Sequence, residues 1–186
     1  MDDSGIVELY LSRSERAISE TSEKYGKSLY NLSNNIINNP SDAEECTNDT
    51  YLCAWNSIPP NEPRDYLFAY LARIVRHITL DRLKAMRTKK RDSVVIELTH
   101  ELEECLPAAD SIESRLNEKE LAELISSFLR NLDLTERHIF IRRYFFAESI
   151  SQLCEKTGFS HSKLVSMLFR TRKSLAKYLK EAGIWM

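Results

Sequence analysis

The chain has 186 residues, 42% hydrophobic and 29% charged, with a formal net charge of -2. That is ordinary globular composition, which excludes wholesale disorder and leaves room for one domain or two small ones. Only four glycines and five prolines occur, with no Asn-Gly or Asp-Gly turn between alternating apolar runs, so a β-sandwich or barrel gives way to an all-α fold.

Leu11, Ile18, Tyr25, Leu29, Leu32 and Ile36 recur at helical spacing until Asn38-Asn39-Pro40 punctuates the chain. Ser41-Asp42-Ala43-Glu44 has the form of a capping box, which predicts a helix from near Asp42 to about Ser57. The stiff Pro59-Pro60-Asn61-Glu62-Pro63 loop precedes a helix over Arg64–Arg87, with Leu67, Leu71, Ile74 and Ile78 on one face. Ser93 to Ser111 is acidic, lacks a sustained period and reads as a linker, with a turn around Ile96 to Leu102. A helix over Leu116–Leu132 buries Leu121, Leu124, Ile125, Phe128 and Leu129, and Thr135 caps the next, Glu136–Phe146. Ile150–Thr157 then forms a short helix, Gly158 takes the left-handed position, and Ser160 caps a long helix from His161 to about Lys180. Helix, glycine turn and basic capped helix are the signature of a helix-turn-helix, though an ordinary helical hairpin shares the local chemistry.

Charge is segregated along this frame. Pro40–Pro63 holds five acids and no base, and Arg64–Arg91 holds nine bases and two acids, net +7. Asp92–Ser127 is acidic again, and Ser160–Ala182 carries six bases and one acid, net +5. Two basic blocks set between acidic ones point to nucleic acid as the partner of both halves.

On the 42–57 helix, Ala43, Cys46, Thr47, Thr50, Tyr51, Ala54 and Trp55 make an inward stripe, leaving Glu45, Asn48, Asp49 and Leu52 on the other side. That outer face is either a solvated surface or a docking face with Leu52 as its apolar anchor. In the last helix, Leu164, Leu168, Thr171, Leu175 and Leu179 face the core, with Lys163, Ser166, Phe169, Arg170 and Lys173 opposite. Arginine pairs with guanine edges and an aromatic edge suits a thymine methyl; Phe169 is alternatively a core residue at the helix margin. Arg172 and Lys177 are expected to bind phosphate or snorkel.

The four cysteines (Cys46, Cys53, Cys105, Cys154) form no C-x-x-C pair, and His77, His100, His138 and His161 complete no zinc spacing. Cys46 and Cys53 are seven apart and could share a helix face. Glu45 and Asp49 have no evident third ligand, so neither metal nor cofactor is expected. No convergent carboxylates suggest an enzyme. No run reaches the roughly 18 apolar residues of a membrane span, and Met1-Asp2-Asp3-Ser4 is unlike a signal peptide, so a cytoplasmic location is expected.

Arg16–Ile18 with Lys24–Tyr30, the stretch Asp42–Trp55 (DAEECTNDTYLCAW), Tyr70–His77 with Asp81–Leu83, and Ser160–Leu175 occur in an order that resembles the sigma-70 superfamily. Within it the resemblance is to the small extracytoplasmic-function group that keeps only regions two and four. It implies a region 2-like helical bundle over 1–92, an acidic linker over 93–112 and a region 4-like helix-turn-helix domain over 113–186. Glu45, Asn48, Asp49 and Leu52 would bind core RNA polymerase. Asn61, Arg73, Arg76, His77, Lys84 and Arg87 would meet melted −10 DNA, with Asn61 in a loop that captures a flipped base. His161, Ser162, Lys163, Ser166, Phe169, Arg170, Arg172 and Lys173 would read the −35 element. The chain would be a non-catalytic initiation subunit, and an anti-sigma partner is a further family expectation. The pattern departs at His77, where asparagine is usual, at Cys46 for leucine, and at Val165 and Met167, which replace basic residues of the reading helix. A stand-alone helix-turn-helix regulator is the alternative.

Overall fold

Every regular element among the described residues (1–86, 101 and 118–183) of the computed structural model is helical. Spatially the chain divides into two units, Met1–Asp92 and Ser93–Met186. No described helix is long and apolar enough to cross a membrane.

In the first unit, α1 (Asp3–Leu11) packs on α2 (Arg16–Ile37), and α2, α3 (Pro40–Ser57) and α4 (Leu67–Ala85) pack on one another. Ile6, Val7, Tyr10, Leu29, Leu32, Cys46, Ala54, Leu67, Leu71 and Val75 are fully buried. Buried hydroxyls are satisfied in pairs: Ser33 with Thr79 at 2.9 Å and Tyr10 with Thr21 at 3.0 Å. The long apolar run at the start of the chain is thus two helices, broken where Arg13 adopts φ 56°.

Helix boundaries depart from expectation at three caps. Asn39, not Ser41, caps α3: its Oδ1 accepts from the backbone N–H of Ser41 (3.1 Å) and Asp42 (3.4 Å). Pro40 has a preset φ and no N–H to satisfy, so it takes the first helical position and hands the cap to the residue before it. Helix α4 begins at Leu67 rather than Arg64. In the second unit Asp133, not Thr135, caps the second helix, accepting from Thr135 N–H at 2.6 Å and Glu136 N–H at 3.2 Å. A carboxylate also complements the positive end of the helix dipole, which a hydroxyl does not.

The second unit comprises α5 (Glu118–Asn131), α6 (Leu134–Phe140) running into a π-helical turn (Ile141–Phe145), α7 (Ile150–Thr157) and α8 (His161–Glu181). Two apolar clusters hold it: Ile139, Ile150, Leu153, Leu164, Met167 and Leu168 under α7, and Phe128, Phe140, Leu175 and Leu179 under α5. Tyr144, on the π turn, packs against both. Of the stretch read as a linker, 93–112, the structure describes Glu101, which belongs to the second unit and packs into it.

Cys46 and Cys53 lie on the same side of α3, two turns apart, with Cys46 buried and Cys53 exposed; both are free thiols, as is Cys154. Cys105 lies outside the described residues.

Candidate functional site

Helix α3 sorts its residues as its period demands. Ala43, Cys46, Thr47, Thr50, Tyr51 and Ala54 are buried, while Glu45, Asn48, Asp49 and Leu52 are exposed, Leu52 at 59%. An isolated exposed leucine needs no explanation, but one flanked by acids on a single face forms an anchor with a charged rim. Glu45 is not an unpartnered acid: Arg82 of α4 reaches its carboxylate at 2.6 Å and the buried Asp42 at 2.9 Å. The Arg82 hydrogen bond holds the Glu45 carboxyl below its ordinary pKa. The negative charge on this face that is not committed to such a bridge therefore centres on Asp49.

The basic block of α4 is thinner than its sequence count. Arg73, His77 and Lys84 are exposed along one side of the helix, and Arg76 is half-buried, which weakens its hold on its proton. Asp81 sits between His77 (3.2 Å) and Lys84 (3.1 Å) and offsets the charge of Lys84. Arg64 is drawn to Glu8 (3.0 Å) and Glu62 (3.2 Å), and Arg82 to α3, so the charge of both is offset within the protein. Arg87, and Lys89 to Arg91 with it, lie outside the described residues.

Beside α4, the proline-rich loop is tied down. The Asn61 side chain is exposed and donates to the Ser57 carbonyl at 2.9 Å, and Tyr70 donates to Ser57 Oγ at 2.7 Å. Sequence reasoning overlooked Tyr66, which follows this loop and presents its ring at 57% exposure. A tyrosine immediately outside the apolar stripe of α4 is the signal that could have found it. Aromatic rings held open to solvent beside cations are stacking platforms for unpaired bases.

The helix-turn-helix is formed by α7 and α8. Ser149 and Gln152 make a reciprocal capping box at the start of α7, Gly158 ends it at φ 71°, and Ser160 caps α8 through the Lys163 N–H. Nothing lies within 4 Å of where a Gly158 Cβ would stand, so the demand for glycine is one of backbone conformation. Gly158→Ala is accordingly expected to lower stability by about 1–2 kcal/mol, read as a drop in the melting temperature of the second unit. Gly158→Asn should lose less, because asparagine tolerates the left-handed region.

On α8, His161, Ser162, Lys163, Ser166, Phe169, Arg170 and Lys173 are all exposed, and Phe169 is 44% exposed rather than a core residue. Lys173 lies over the Phe169 ring at 4.8 Å and Lys163 over the Phe159 ring at 3.6 Å. Two assignments change. Arg172 is only 8% exposed and is bound by Glu101 (3.1 Å) and the Tyr144 hydroxyl (2.8 Å), so it does not belong to the exposed face of α8. Met167 is a core residue, buried among Ile139, Leu153 and Leu168, so of the two departures only Val165, 42% exposed, bears on the reading face.

Arg172 joins a buried ionic group. Arg143, wholly buried on the π turn, meets Glu101 at 2.7 Å and donates to the Glu148 carbonyl at 2.9 Å. Burial favours the neutral form of Glu101, but the hydrogen bonds and charges of Arg143, Tyr144 and Arg172 outweigh it and hold the carboxyl below its ordinary pKa. Burial and the Glu101 carboxylate push the Tyr144 hydroxyl up. Glu148 is in turn held by Arg142 (2.8 Å) and Lys156 (2.6 Å), which fixes the turn ahead of α7.

The second unit thus defines a helix-turn-helix domain with a basic outer face, the class of fold that lays a helix in the major groove. The first unit is similar in sequence to a known domain. Residues 22–89, from within α2 past the end of α4, match the family model of sigma-70 region 2. The solved structure of CnrH in complex with the cytosolic domain of CnrY aligns with 96% of this chain and 97% of its own, at 19% identity and a TM-score of 0.44. No curated protein matches the sequence.

Proposed function

We propose that the chain is a sigma factor of the extracytoplasmic-function type, docking on core RNA polymerase and directing promoter-specific initiation. The observation that carries this reading is the outer face of α3, where Asn48, Asp49 and Leu52 stand exposed within a domain matching sigma-70 region 2. A stand-alone DNA-binding protein has no need of such a face. In this reading Asn61, Tyr66, Arg73, His77 and Lys84 contact the melted −10 element, and Arg170, Phe169, Ser166, Lys163 and Lys173 read the −35 major groove. Polymerase supplies the chemistry, and the chain supplies docking and recognition.

Transcription from a cognate promoter by core polymerase, with and without the protein, tests the reading. Promoter-specific transcripts are expected only in its presence; tight duplex binding without polymerase association would overturn it in favour of a free-standing regulator. Within the same assay, Tyr66→Ala should weaken open-complex formation by about 1–3 kcal/mol, the worth of one stacked base. Permanganate reactivity of −10 thymines on a linear template reads that loss. A preformed bubble should restore little, since stacking on an unpaired base is what has been removed.

A further inference from the structure

The exposed side of α8 is not uniformly polar. At about 100° of turn per residue, Val165 and Phe169 fall one above the other on one flank, Ser162 and Ser166 along the middle, and Lys163 and Arg170 on the opposite flank. Val165 is 42% exposed and Phe169 44%, while Leu164, Met167 and Leu168 beside them in the helix are buried, so the core does not need the pair. We propose that Val165 and Phe169 read thymine methyl groups in the major groove, which makes Val165 a specificity-determining residue. The inference rests on the reading of α8 as the −35 helix.

The surroundings of the pair suit duplex DNA. Lys163, Arg170 and Lys173 stand exposed on the same side of α8, and Lys173 lies over the Phe169 ring at 4.8 Å, an attraction that favours an outward position of the ring. A basic rim beside an apolar strip complements a groove walled by phosphates and floored by base edges. The apolar feature of that floor is the C5 methyl of thymine, which cytosine lacks. Neither Val165 nor Phe169 carries a hydrogen-bonding side-chain group, so apolar contact is what they can read.

Position along the helix agrees. The second helix of a helix-turn-helix presents its N-terminal residues to the base edges, and both residues fall in the first half of α8 (His161–Glu181). Four residues of helix rise about 6 Å, against about 3.4 Å per base pair, so the two side chains meet different base pairs.

The test begins with selection of duplexes from a random pool by the full chain together with core polymerase. Each selected thymine is then replaced in turn by deoxyuridine, which removes the methyl and keeps every hydrogen-bonding group of the base. The wild type is expected to lose about fourfold in affinity at each of two thymines, the worth of one buried methyl-sized group. Val165→Ala should shrink one of these losses to under about twofold, and Phe169→Ala the other. Both side chains are exposed and alanine favours a helix, so folding should survive. The ratio of thymine to deoxyuridine affinity is read within each variant, so a general loss of binding cancels.

Deoxyuridine losses identical in the wild type and both variants overturn the proposal, as do selected sites whose thymines all tolerate deoxyuridine in the wild type. A fall in polymerase association with the thymine ratio unchanged also overturns it, and makes the pair a protein contact. Repeating the selection without polymerase keeps two failures apart. Duplexes enriched equally in both arms sink the sigma reading, and the methyl coupling is then measured on those duplexes. No enrichment in either arm overturns both.

Discussion

Asp49→Lys combined with Glu45→Lys should abolish association with core RNA polymerase, a loss of roughly 100-fold or more, while leaving helix content unchanged by circular dichroism. The physical argument separates the two residues. Asp49 is exposed on the outer face of α3, so its reversal changes the sign of that surface without disturbing the helix beneath. Glu45 is bridged to Arg82 at 2.6 Å, so Glu45→Lys also places a lysine against that guanidinium. Asp49→Lys alone should therefore weaken binding with no change in melting temperature, whereas Glu45→Lys alone should lower both. Leu52→Ser removes the apolar anchor and should cost about tenfold in affinity, chiefly through faster dissociation. Fluorescence anisotropy of labelled protein titrated with core enzyme distinguishes these outcomes. Undiminished affinity in the Asp49→Lys, Leu52→Ser double variant would falsify the docking face.

Arg143→Met is expected to destabilise the second unit by about 3–5 kcal/mol, because it removes one partner of a buried pair and leaves the other charged. Arg143 is wholly buried, with Glu101 and the Glu148 carbonyl as acceptors. Methionine fills much of the volume but donates to neither. For a domain with 5–15 kcal/mol of total stability, a loss of that size lowers the melting temperature by roughly 15–25 °C. Pairing it with Glu101→Leu should recover little of the loss, since that second change also takes the carboxylate from the buried Arg172 at 3.1 Å.

The pH dependence has a definite sign. Glu101 titrates below its ordinary range in the folded protein, so its contribution is complete above the unfolded carboxyl pKa and disappears as pH falls through the lower folded value. The difference between wild type and Arg143→Met should therefore be largest near neutrality and shrink below about pH 4. Calorimetry of the full chain at several pH values measures it. A shift below about 1 kcal/mol at pH 7 would mean the pair is no more than a surface salt bridge.

What was legible in the sequence is what short-range rules govern. The inward and outward faces of α3 and of the outer half of α8 follow from a 3.6-residue period, and the structure places Cys46, Thr50 and Ala54 inside and Asn48, Asp49 and Leu52 outside accordingly. The Gly158 turn and the Ser160 cap are likewise local, each satisfied within four residues of chain. Even so, the caps lay two residues upstream of the expected ones: Pro40 at the first helical position handed the cap from Ser41 to Asn39, and the Asp133 carboxylate suits the helix dipole better than the Thr135 hydroxyl.

The fate of the charges was not legible. Arg82 and Glu45 are 37 residues apart, Arg64 and Glu8 are 56, and Arg172 and Glu101 are 71. A run of arginines in sequence looks like one basic surface, yet a long side chain can turn inward if packing delivers a carboxylate to it, and sequence spacing carries no trace of that partner. The amino-acid order by itself thus determined the helices, their apolar stripes and the helix-turn-helix, because those rest on neighbours three and four residues away. Only the tertiary structure decided which arginines are bridged to distant carboxylates and that Glu101 belongs to the second unit, because burying a charge depends on what the rest of the chain brings beside it.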